Sequence, residues 1–121
     1  MVYAASTKGT IALWTELLVV ARALGLEAAL LAEFGADHPI ARHEMGAIPG
    51  MPRRSRRWAG EMDEIAATFA AVGLTPRILE GAADMYRFIG GTPLGDQTSR
   101  EPDPSLAQVL VTLTEQLPHQ P

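Results

Sequence analysis

Residues 52–73 read Pro52-Arg53-Arg54-Ser55-Arg56-Arg57-Trp58-Ala59-Gly60-Glu61-Met62-Asp63-Glu64-Ile65-Ala66-Ala67-Thr68-Phe69-Ala70-Ala71-Val72-Gly73, and their periodicity decides the fold class. Trp58, Met62, Ile65, Phe69 and Val72 recur at spacings of four, three, four and three, which is one unbroken stripe on a helix of 3.6 residues per turn. Glu61, Asp63 and Glu64 face away from the stripe, and Gly73 ends it. Downstream, Thr75-Pro76 reads as a helix start, followed by a second stripe of Ile78, Ala82, Met85, Tyr86 and Ile89 that stops at Gly90-Gly91.

Working towards the N-terminus, Ile11, Trp14, Leu17, Leu18, Ala21 and Leu24 form the stripe of a long helix over roughly residues 3–24. Val19 and Val20 lie off that stripe, so this helix is expected to be buried on more than one side. Gly25 suits its C-cap. A shorter helix over residues 26–34 closes at Gly35, and another over residues 40–45 starts near Pro39, with Asp37 or His38 at its cap. From Gly90 to Pro104 the composition turns to Gly, Pro, Thr, Ser, Asp and Glu, a linker or exposed loop. Leu106, Val109, Leu110, Leu113 and Leu117 then mark a last amphipathic helix, ended by Pro118, with residues 119–121 expected to fray. The expectation is an all-α domain of five or six helices with a long first helix. It divides into a helical unit over 1–91, a linker over 92–103, and an extra amphipathic helix with its tail over 104–121.

The chain has 121 residues, 47% hydrophobic and 20% charged, which fits one folded domain and excludes disorder for most of its length. A net charge of −4 gives no electrostatic reason for nucleic-acid binding. The absence of cysteine removes disulfides, thiolate metal sites and a cysteine nucleophile. Arg22 and the flanking Glu16 and Glu27 keep the most apolar stretch far short of the ~20 residues a membrane span needs. A cytoplasmic protein without membrane contact is expected.

Two clusters carry candidate chemistry. Thr7-Lys8-Gly9 holds the only lysine, a compact charge beside a hydroxyl and a glycine that suits a small anion, or else a solvated lysine near the chain start. Arg53, Arg54, Arg56 and Arg57 oppose the helix dipole at the start of their helix, as a site for an anion or a protein partner would. The same arginines can instead pair locally, Arg57 with Glu61 and Arg54 over Trp58, each four residues apart. His38 and His43 are five apart, outside the spacing of a helical metal pair, and no metal site is expected. No Gly-x-Gly-x-x-Gly run follows a strand, so no dinucleotide site is expected in this chain.

Taken in order, Met1-Val2-Tyr3-Ala4-Ala5-x-Thr7-Lys8-Gly9, Ala23-Leu24-Gly25, Arg57-Trp58-x-x-Glu61-Met62-x-Glu64-Ile65 and Gly73-Leu74 resemble one known domain. It is the helical C-terminal domain of 6-phosphogluconate-dehydrogenase-like and 3-hydroxyisobutyrate-dehydrogenase-like proteins, in the branch whose C-terminal region is uncharacterised. The resemblance spans about residues 1–89, and the Arg-Trp-x-x-Glu-Met-x-Glu-Ile run is its most specific part. It implies a Rossmann domain ahead of this one that binds NAD or NADP, a substrate cleft shared between the two, and a homodimer built largely on the helical domain.

The family's acid/base lysine, in a Lys-x-x-x-Asn pattern, would fall just before Met1, and its asparagine on Ala4, so the resemblance assigns no catalytic residue to this chain. Lys8 corresponds to a substrate-facing position in the phosphogluconate enzymes. The expectation is therefore a substrate-side and dimerisation domain of a β-hydroxyacid dehydrogenase-like protein, inactive alone and without its own cofactor. Its Rossmann domain would come from another chain or have been lost by truncation. The competing expectation is a stand-alone, non-enzymatic helical homodimer that binds a small anion or a protein partner.

Overall fold

Two antiparallel helices, α4 (Ser55–Ala71) and α5 (Arg77–Gly90), form the frame on which the computed structural model, described over residues 1–119, is built. A tight turn joins them, in which Gly73 at φ +91° takes the left-handed conformation that ends α4. The Thr75 hydroxyl accepts from the Arg77 amide at 3.1 Å and starts α5. Met62 and Ile65 of α4 and Ala83, Tyr86 and Ile89 of α5 are almost fully buried between them. Each large apolar side chain buried there stabilises the fold by about 1.5–3 kcal/mol.

The long α1 (Tyr3–Ala23) lies against this pair and presents Ala12, Leu18 and Val19 to the core. Around it sit α2 (Glu27–Phe34), α3 (Pro39–Ala47) and α6 (Leu106–Glu115). His38 caps α3, its Nδ1 accepting from the Ala41 amide at 3.0 Å. A capping box starts α6: Ser105 accepts from the Gln108 amide at 3.1 Å, and the Gln108 side chain accepts from the Ser105 amide at 2.7 Å. Val109, Leu110 and Leu113 of α6 are buried, and the helix packs on α1 of its own chain. All six helices and the two short 3-10 turns, Pro52–Arg54 and Pro93–Asp96, agree with an all-α domain with a long first helix, and no strand occurs among the described residues. No helix among them is long and apolar enough to cross a membrane.

Three sequence expectations need correction. Val72 and Ile78 continue the stripes of α4 and α5 on paper, yet they are 72% and 75% exposed, because both helices run past the edge of the core at the turn that joins them. Leu79, on the face towards α1, is buried instead. The long first helix is buried on more than one side, through Ala12, Leu18, Val19 and Ala21, but Leu17 and Leu24 of its expected stripe, with Leu13 and Val20, stay exposed. The α3 helix is longer than expected and runs through Gly46.

Residues 92–103 run as a fastened strap. Thr92 and Leu94 are buried, and Arg53 reaches across to the strap at the Thr98 carbonyl (3.0 Å), the Glu101 carbonyl (2.7 Å) and the Asp103 carboxylate (2.7 Å). The expected fraying of residues 119–121 lies largely outside the described residues.

The strap crosses the end of α5 at Gly95, where a Cβ would stand 2.4 Å from the Gly90 carbonyl oxygen and 2.8 Å from its Cα. Gly95→Ala is predicted to destabilise the fold by about 1–3 kcal/mol, since backbone cannot move aside as a flexible side chain would. Gly46→Ala, within α3 with nothing inside 4 Å of its Cβ, is predicted to gain roughly 0.5–1 kcal/mol. Urea denaturation of both variants checks this opposite pair of signs.

Candidate functional site

Lys8 sits in the second turn of α1, where its carbonyl and its ammonium are both engaged by the α4–α5 pair. Its ammonium forms an ion pair with Glu61 of α4 and stands 5.0 Å from the centre of the Trp58 ring. The other Glu61 oxygen lies 3.6 Å from Arg57 Nε. Trp58 meets Tyr86 of α5 edge-on, with ring centres 5.5 Å apart and planes at 81°. The Tyr86 hydroxyl donates to the Lys8 carbonyl. Three residues of the Arg-Trp-x-x-Glu motif therefore converge around one lysine, which lies 53 residues from its carboxylate partner.

Burial raises the Tyr86 phenol well above its ordinary value; the Glu44 carboxylate adds to the shift and a backbone hydrogen bond from Ala12 opposes it. With side chains 23% and 34% exposed, the Lys8–Glu61 pair is a modest source of stability, its charges partly screened by water. The indole Nε1 of Trp58 is buried without a hydrogen-bond partner among the described residues.

Thr7 and Gly9 flank Lys8 on the same helix, but consecutive positions point about 100° apart. The Thr7 hydroxyl contacts the Ala4 carbonyl at 3.4 Å. Gly9 faces a cleft of about 270 Å³ between α1 and α5, and a Cβ there would meet Leu79 at an ordinary 3.5 Å. The backbone amides of all three lie inside α1, where the helix ladder uses them.

The arginine cluster is placed by a helix dipole other than its own. Because α4 and α5 are antiparallel, the start of α4 lies beside the end of α5, whose terminal carbonyls attract cations. Arg56 Nε donates to the Gly90 carbonyl at 2.9 Å and its guanidinium pairs with Asp96 at 2.7 Å. Arg53 ties down the strap, Arg54 donates to the Gly50 carbonyl, and Arg57 meets Glu61. The expected contact of Arg54 with Trp58 does not form; Lys8 holds that ring face instead. Sequence spacing could reveal the Arg57–Glu61 pair, four residues apart, but not partners 34 to 53 residues away. Tyr86 was legible as a core residue, while the role of its hydroxyl was not. No group of three or more His, Asp or Glu among the described residues could hold a metal ion.

Tyr86→Phe is predicted to cost roughly 0.5–1.5 kcal/mol near neutral pH, the worth of one hydrogen bond. The tyrosine of the unfolded chain ionises near pH ~10, whereas the buried phenol of the folded chain stays protonated to higher pH. The folded state then binds more protons than the unfolded one, so the stability Tyr86 provides is complete below that pH and is lost as pH rises through it. Urea midpoints at about pH 8 and pH 11 should show the gap between wild type and variant closing at the higher pH.

Comparison with known families matches residues 21–89, more than half of the 121-residue chain, to the domain of unknown function DUF1932. The matched span contains Trp58, Glu61 and Tyr86 and begins after Lys8. No curated protein and no solved structure matches the chain. The chain belongs to the DUF1932 family, the helical C-terminal domain of 6-phosphogluconate-dehydrogenase-like and 3-hydroxyisobutyrate-dehydrogenase-like proteins.

Proposed function

We propose that this chain is the substrate-side and dimerisation domain of an NAD(P)-dependent β-hydroxyacid dehydrogenase-like protein, working in the cytoplasm as a homodimer. Its helical unit spans 1–91, followed by the strap over 92–103 and the added helix α6. Family membership carries this reading, together with the gathering of Arg57, Trp58 and Glu61 of the family-like motif around Lys8. A Rossmann domain, on a separate chain or ahead of this domain in a longer protein, is what would complete an active site.

Hydride transfer needs a nicotinamide held against the substrate carbon and a proton donor or acceptor within reach of the hydroxyl. A dinucleotide is commonly held where a strand turns through glycines into a helix, bringing amides onto the pyrophosphate. The described residues hold helices and turns, and Gly90-Gly91 end a helix instead of opening one. These residues do not fit NAD or NADP, which supports a chain that neither binds the cofactor nor turns over substrate by itself. Lys8 can help to bind an anionic substrate only by sharing its charge with Glu61.

The reading as a stand-alone homodimer for a small anion or a protein partner has less support. Each candidate cation, Lys8, Arg53, Arg54, Arg56 and Arg57, already has a partner within the chain. Neither reading involves nucleic acid or a membrane.

Titration with NADH and NADPH, followed by nicotinamide fluorescence, is predicted to give no saturable change at micromolar protein. A saturable signal would overturn the assignment of the cofactor to another domain. Light scattering at tens of micromolar is predicted to give twice the 13.0 kDa chain mass, and a monomer would remove the dimerisation role.

A further inference from the structure

The outer face of α1 carries Leu13, Leu17, Val20 and Leu24 at 61%, 36%, 50% and 56% exposure, a solvent-facing apolar seam on a helix whose other face is core. Their spacings of four, three and four read the same in both directions. A helix with such a seam meets an antiparallel copy of itself in register. With a two-fold axis passing between Leu18 and Val19, Leu13 lies opposite the partner subunit's Leu24, and Leu17 opposite the partner subunit's Val20. Resting on the homodimer reading above, we infer that α1 pairs with α1 of a second copy in this antiparallel arrangement.

The surface beside the seam is apolar as well. Between α1 and α5 runs an apolar cleft of about 270 Å³, lined by Gly9, Ala12 and Ala82 and edged by Leu13 and Ile78. Past Glu16 and Met85 it is followed by a second apolar recess of about 290 Å³, bordered by Val20, Phe88 and Leu117. The apolar surface therefore continues beyond the seam, and a two-fold contact presents this same surface from both copies.

Charge and area agree with the same occupant. Arg22 is held by Glu27 of its own chain at 2.9 Å. Glu16, the remaining charge beside the seam, falls near the partner subunit's Ala23 and not near a second carboxylate. The folded chain exposes 7121 Å². That is about 800 Å² more than the ~6,300 Å² expected of a compact monomer of this mass. The excess is surface that a compact monomer of this mass would not leave in water.

The test uses the full chain and two readouts. Leu17→Asp, with helical content checked by circular dichroism, is expected to halve the mass seen by light scattering. Val72→Asp, at an equally apolar but distant site with 72% exposure, is expected to leave it unchanged. A nitroxide on Ser6→Cys, the only thiol in that variant, reads the direction of pairing. Antiparallel copies put the two labels roughly 38 Å apart along the helix. Parallel copies leave them about one interhelical distance apart, ~10 Å. A wild-type monomer would overturn the dimer reading itself. A dimer that survives Leu17→Asp, or that shows the short distance, would overturn the seam and leave the dimer reading standing.

Discussion

Tyr86 is the residue on which the arrangement of α1 depends. Its ring is fully buried between α1, α4 and α5, and it is the largest of the fully buried side chains among the described residues. Apolar burial supplies most of the stabilisation at this junction but has no direction of its own. The direction comes from polar groups placed within it: the Tyr86 hydroxyl on the Lys8 carbonyl, and the Glu61 carboxylate on the Lys8 ammonium. Together they fix both the depth of α1 against the frame and its rotation about its own axis. That rotation decides which α1 residues meet the core and which, such as Leu17 and Val20, are left outside.

A second constraint comes from antiparallel helix ends. Four arginines opening α4 would be unfavourable if only the dipole of α4 mattered. Next to the carbonyl end of α5, and with Asp96, Asp103 and two strap carbonyls within reach, Arg53 and Arg56 become the fasteners of residues 92–103, while Arg54 and Arg57 pair with Gly50 and Glu61. That strap sets where α6 begins, so the packing of Leu110 and Leu113 against α1 follows from the same arginines.

The helices were legible because their signals are local. Gly25, Gly35 and Gly73 each carry the positive φ that a helix ending at glycine implies. The stripes of α4 and α5 include the buried Met62, Ile65, Ala82, Tyr86 and Ile89, while Ala59, Ala66, Leu79 and Ala83 are buried beside them. What could not be read depends on neighbours far along the chain. Val72 and Ile78 obey the same periodicity as Met62 and Ile89, and only the position of the turn shows that the core has ended before them. Lys8 reads as a free charge until Glu61 is brought to it by the fold. The Arg54–Trp58 spacing allowed a local contact, which lost to a lysine from another helix. Residues 92–103 have the composition of a linker, and their attachment depends on Arg53 and Arg56, whose partners no short-range pattern connects.

Lys8 is clamped between Glu61 and the Trp58 ring and is not a free surface cation. Because it is the only lysine in the chain, isotope labelling of lysine alone gives a single spin system by NMR. Its εCH₂ resonances should be displaced by the ring current of Trp58 and move towards ordinary values when Glu61→Gln releases the ammonium. Resonances at random-coil positions, indifferent to that substitution, would contradict the clamp.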